Sequence, residues 1–153
     1  MMAASAKVVS EAVMHSRALL FLAAAGIVAS AGACAQSTPF DGAWNITLSC
    51  PPHHDDDDAK GYTHRFPATV SNGELRGVHG TEGEPGWHLL TGPIATDGSA
   101  TLRLEGIVNN AEHAINKAQR GKAYKYRVKA QFEPTAGTGQ RVTGRVCTFR
   151  FTR

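Results

Sequence analysis

The 153 residues are enough for one domain, and no internal repeat, low-complexity tract or linker marks a second. The formal net charge of +3 is modest but uneven: from Lys117 onward there are ten basic residues and a single acid, Glu133. Such a basic half favours an anionic partner. The same residues alternate with apolar ones, however, and so also form the wet face of strands.

The chain opens on a segment with the signature of a secretory signal. His15 and Arg17 precede a run of small and apolar residues, ALLFLAAAGIVASAGA, over Ala18 to Ala33. Ala33-Cys34-Ala35 before Gln36 supplies a small-x-small cleavage site. The run falls short of the ~20 apolar residues that a spanning helix needs. Residues 1–35 are therefore expected to be a signal peptide, with Met14 as an alternative start, and residues 36–153 one exported domain. Cleavage before Cys34, with a lipid on that cysteine, is the minor alternative, because the residue three positions earlier is Ala31 rather than Leu. After cleavage two cysteines remain, Cys50 and Cys147. In an exported domain they read as a disulfide.

From Gln36 onward the chain alternates with a period of two. Trp44, Ile46, Leu48 and Cys50 form the inner face of a first strand, entered through Gly42. Pro51 to Lys60 (PPHHDDDDAK) is a polar loop. Tyr62, His64, Phe66, Ala68 and Val70 share one face of a second strand, in which Pro67 implies an edge or a bulge. Asn72-Gly73 is a hairpin turn of the I′ kind. Leu75, Gly77 and His79 mark a third strand, and Gly80 to Gly86 a second loop. A fourth strand runs from Trp87 to Ile94, Asp97-Gly98 is another tight turn, and a fifth strand reaches Val108. The longest connection, Asn109 to Gly121, has room for a helical turn. Tyr124, Tyr126, Val128, Ala130 and Phe132 alternate with Lys125, Arg127, Lys129 and Gln131 in the clearest amphipathic strand. Glu133 to Gly139 reads as a glycine-rich turn. A last strand is expected from Val142 to Thr152, bulged at Gly144. Short strands with hairpin signals and no helix after the signal predict an all-β fold: one antiparallel meander of seven or eight strands closed, or nearly closed, into a small barrel. In a meander the connections alternate between ends. The tight ones gather at one end and the long ones at the other, which makes the long-loop end the candidate working surface.

Several groups could carry chemistry there. His53, His54, Asp55, Asp56, Asp57 and Asp58 combine imidazole and carboxylate donors for a metal ion, although the run lacks the order of a calcium loop and also suits a solvated loop. Glu82 and Glu84 offer two carboxylates, as a glycosidase requires, but Gly83, Pro85 and Gly86 around them equally describe a shaped turn. Beside them Trp87 suits sugar stacking or the core, and His88 is a candidate partner. His113 and Arg120 on the third long loop are candidates for an anionic group, with Lys117 and Lys122 beside them. Tyr62, His64 and His79 point inward, which reads as satisfied core polar groups. There is no Gly-x-Ser-x-Gly elbow, and no glycine-rich phosphate loop leads from a strand into a helix.

The motifs Phe40-Asp41-Gly42-x-Trp44, Cys50-Pro51, Gly80-x-x-Gly83-x-Pro85-Gly86-Trp87, Gly137-x-Gly139-x-Arg141 and Cys147 resemble a family of uncharacterised exported domains from proteobacteria. The likeness covers Phe40 to Phe151 and implies a common fold, with no activity or catalytic residues to carry over. A weaker likeness, carried by Gly42-Ala43-Trp44, is to lipocalins and to small bacterial barrels that inhibit proteases or lysozymes. The sequence thus predicts a periplasmic or secreted binding module working through its long-loop end on a protein, glycan or small ligand. No nucleic-acid partner and no membrane span after cleavage are expected. An inhibitor of a secreted hydrolase is the second reading. A small hydrolase using Glu82, Glu84 or the His–Asp run is the third. No cofactor is expected beyond a metal ion on that run.

Overall fold

The computed structural model describes residues 37–54 and 58–153. The signal segment and Cys34 lie outside the described residues, as do Asp55, Asp56 and Asp57. Among the described residues no helix is long and apolar enough to cross a membrane.

Eight strands follow one another: β1 (Gly42–Cys50), β2 (Tyr62–Ser71), β3 (Glu74–His79), β4 (His88–Pro93), β5 (Ser99–Ile107), β6 (Ala123–Phe132), β7 (Ala136–Arg141) and β8 (Thr148–Thr152). Each pairs antiparallel with its chain neighbour, and β8 closes on β1 through Asn45↔Thr152 to Ser49↔Thr148. An even strand count is what lets the first and last strands of an up-and-down meander meet antiparallel. Between β5 and β6 two single 3-10 turns, Ala111–His113 and Ile115–Lys117, occupy the longest connection.

Period-two phasing expects a turn over 133–139 and one strand over 142–152, and here the structure differs. Ala136–Arg141 is a strand of its own, residues 142–147 form a fourth long loop, and Cys147 precedes β8. The Ala-Gly-Thr-Gly-Gln-Arg strand hides because two of its inward positions are glycines. Phe132 packs against Gly137 and Phe151 against Gly139, so neighbouring aromatic rings fill the space that side chains would take. Pro67 sits inside a closed barrel rather than on an edge. The β2–β3 ladder ends at Ala68↔Gly77, one residue beyond it, so a missing N–H costs no bond on that side.

The interior is packed at the tight-turn end. Phe40 plugs the base, and the Trp44 indole N–H donates to the Phe40 carbonyl at 2.8 Å. The Phe132 ring meets Trp44 edge-on at 5.6 Å and lies 4.5 Å from Phe151. Leu75, Val70 and Leu102 complete this layer, all nearly or fully buried. The segment before β1 is tied to the first hairpin: Asp41 accepts from the backbone N–H groups of Asn72 and Gly73 at 3.0 and 2.9 Å. Asn72 and Gly73 both have positive φ, 53° and 76°, as a two-residue I′ turn requires. Arg153 at the chain end donates to the carbonyls of Pro39, Pro134 and Asp41 and lies over the Trp44 ring.

At the opposite end Cys50 and Cys147 form the expected disulfide, 97 residues apart in sequence. A loop of that length, closed in the unfolded chain, stabilises by up to ~4–5 kcal/mol in the chain-entropy model.

Candidate functional site

The aromatic filling stops short of the long-loop end. Trp44, Phe66, Phe132 and Phe149 are buried, whereas Tyr126 is half-buried and lines a cavity of about 660 Å³ at the barrel mouth. Its walls come from β2, the start of β4, β5, β6 and the end of β7, with Gly86 and the 108–122 and 142–147 loops above. Tyr62, Tyr124 and Tyr126 give it aromatic faces, Ile107, Val108 and Ile115 apolar ones, and Arg141 and Arg145, with Lys122 and Lys125, its charge.

The two arginines do different work. Arg145 is buried and is engaged by backbone. Its Nε donates to the Pro51 carbonyl at 2.6 Å, Nη1 to that of His113 at 2.9 Å, and Nη2 to those of Lys60 and Ala59. It ties three long loops together over the Tyr62 ring. Arg141, the last residue of β7, is 6% exposed and lies 4.0 Å over the Tyr126 ring. Its Nε and Nη2 are buried with no hydrogen-bond partner among the described residues. Burial lowers its pKa, opposed by the neighbouring Tyr126 and Tyr62. Burial likewise pushes the phenols of Tyr62 and Tyr124 upward, Tyr124 strongly. They remain neutral hydrogen-bonding groups through the physiological range. Gly106 faces Tyr124 across β5 and β6, and any side chain there would occupy the place of the Tyr124 phenol.

On the β2–β4 side three imidazoles stack. His79 and His88 are cross-strand partners on β3 and β4, and His64 on β2 lies against His79 where the β2–β3 ladder has ended. Ring centroids are 4.4 Å apart for His64–His79, 4.5 Å for His79–His88 and 5.2 Å for His64–His88, with planes within 6°. Phe66 packs edge-on against His88 at 4.9 Å. The Gly86 carbonyl lies 3.1 Å from His79 Nδ1. A carbonyl only accepts, so His79 Nδ1 is the donor in this contact. His64 Nδ1 and His88 Nε2 are buried with no partner. Burial, then the adjacent His79 and His64, pull the His88 pKa down to about 3, against the Gly86 carbonyl. Burial and the neighbouring His79 and His113 also lower that of His64. His64 and His88 are thus held toward the neutral imidazole form.

Of the residues singled out in the sequence, Tyr62, His64, His88, His113 and Lys122 line this cavity. His113 sets Nδ1 3.2 Å from the Lys60 carbonyl and its ring edge-on to Tyr62. Glu82, Glu84 and Arg120 are exposed and lie outside the lining, with Trp87 half-buried beside it. In the polar loop His54 Nδ1 is 3.3 Å from Asp58 Oδ1, both exposed, and His53 bridges to Ala59. Neither joins the one group of three or more metal-donor residues found among the described residues, which is His64, His79 and His88. Sequence phasing had turned Tyr62, His64 and His79 inward but not brought them together. That needed the register, with His79 opposite His88. Arg141 carries no alternation signal, because the inward positions before it on β7 are Gly137 and Gly139.

Compared with known proteins, the chain matches no family model, no curated protein and no solved structure.

Proposed function

We propose that this protein is an exported binding module that takes a small ligand with an anionic group and an apolar or aromatic body into the barrel mouth. Arg141 carries the reading. Leaving two guanidinium nitrogens buried without acceptors is costly, on the order of 1–3 kcal/mol for each group, and an anion in the cavity removes that cost. The tyrosines offer faces for the ligand body and hydroxyls for its polar atoms. A packed base with a hollow mouth is how lipocalin-type barrels of eight strands hold one ligand, so the weaker likeness noted in the sequence supports the same reading. The disulfide and the signal-like leader support export.

The test uses anilinonaphthalene sulfonate, an anionic aromatic probe whose fluorescence reports an apolar site. One molecule is expected to bind per chain, and Arg141→Gln to weaken binding at least ~10-fold, as loss of a charge-assisted contact implies. Ala118→Trp, on a wall formed by a loop outside the barrel strands, is expected to block the site with the fold intact by circular dichroism. Unsaturable binding, or binding unchanged in both folded variants, overturns the proposal.

A further inference from the structure

The three stacked histidines have a property that ligand capture by Arg141 does not use. We propose that His64, His79 and His88 form a binding site for one divalent transition-metal ion with imidazole preference, zinc or its near neighbours, at the side of the mouth cavity.

His64, His79 and His88 stand on three consecutive strands, so a rigid wall fixes their backbone positions, and the donor atoms available on the three rings lie within 4.8 Å of one another. Zinc–imidazole bonds of ~2.0–2.1 Å place two nitrogens of one tetrahedral ion ~3.3 Å apart. Closing from the observed spacing requires the parallel rings to turn so that their lone pairs converge on one point. The second observation is the state of the ring nitrogens. His88 is 1% exposed and its Nε2 has no partner, and His64 Nδ1 is buried in the same condition. A stack that served packing alone would leave both acceptors or donors unmet, at a cost that a bound ion removes. The third is the outer contact. His79 gives its Nδ1 proton to the Gly86 carbonyl, the arrangement that fixes tautomer and ring orientation in metal-bound histidines, and so presents Nε2 as the ligand atom. His64 and His88 also line the cavity, which gives the ion an entry path and leaves a coordination position open to water or a bound anion.

This inference stands apart from the Arg141 reading and is tested with the metal alone. The full chain, stripped with chelator, is titrated with cobalt(II) and followed by its visible ligand-field absorption. Zinc affinity is then measured by competition with a chromophoric chelator. One ion per chain is expected. His64→Gln, His79→Gln and His88→Gln are each expected to weaken it by more than the ~10–100-fold typical of losing an outer contact. His54→Ala, in the polar loop, is expected to leave it unchanged. If a histidine variant fails to fold, heteronuclear NMR of the unaltered chain must show ring-nitrogen shifts on zinc addition confined to these three histidines. Absence of binding overturns the proposal. So does binding retained by the three variants, or binding lost only in His54→Ala, which would put the ion on the polar loop.

Discussion

Asp41 engages three donors with one carboxylate: the Thr38 hydroxyl at 2.7 Å and the backbone N–H groups of Asn72 and Gly73. The Thr38 hydrogen bond, then that of Gly73, hold its carboxyl below the usual range. A carboxyl whose folded pKa is depressed binds its proton more weakly in the folded chain than in the unfolded one. Its contribution is therefore complete above the unfolded value, ~3.9, and is lost as pH falls through the folded value. Asp41→Asn is expected to lower the thermal midpoint at neutral pH and to flatten its fall below about pH 4. Midpoints measured across that range check it, and parallel curves for parent and variant would remove Asp41 from the account. The Phe40-Asp41-Gly42 motif was legible in the sequence as a strand entry. Its role as an anchor for the Asn72-Gly73 turn was not, because 31 residues separate Asp41 from Asn72 and the β1–β2 register, with Gly42 opposite Val70, is what brings them together.

At the scale of elements, alternation exposed the inward faces of β1, β2, β5 and β6 because each carries large apolar residues on one side. It failed over 133–147, where glycines hold inward positions and the chain leaves the sheet, and recovered in β8, whose Phe149 and Phe151 face inward as the alternation expects. Phase does not carry across such a loop, so Arg141 and Arg145 read as surface charge when both are buried. The loop they bracket is an organising element of the mouth. Arg145 reaches the 51–61 and 108–122 loops at once, while Cys147 next to β8 is bonded to Cys50. In Arg145→Met the disulfide still joins the 142–147 loop to β1, and the barrel ladders are untouched, so the variant is expected to fold. It loses charge-assisted bonds to carbonyls that water can reach in part, a cost on the order of 2 kcal/mol. Hydrogen exchange should speed up in 58–61 and 108–122 and stay unchanged in β3, β4 and β5. Equal acceleration throughout would mean that Arg145 supports the whole barrel rather than its loops.

Across the whole molecule the barrel divides its tasks along its axis. The base is closed by Phe40, Trp44, Phe132 and Phe151 and by Arg153, which reaches the carbonyls of Pro39 and Pro134, whereas the mouth holds half-buried tyrosines, imidazoles and a guanidinium with two nitrogens left without hydrogen bonds among the described residues. Buried polar groups without partners lower stability, and a packed apolar layer raises it. The mouth can carry that cost because the base, the ring of paired strands and the disulfide hold the fold independently of it. Stability and binding should then separate on mutation. Leu75, fully buried near the first hairpin, belongs to the base. Leu75→Ala is expected to cost ~2–5 kcal/mol, the range for a large-to-small core change. The same variant should bind anilinonaphthalene sulfonate within about twofold of the parent, since sites without shared partners act additively. Denaturant midpoints and probe titrations on one preparation decide it. A destabilised variant with unaltered probe affinity fits a barrel whose ends act separately. A large change in affinity would show that packing at the base sets the shape of the mouth, and that the cavity is a property of the closed sheet as a whole.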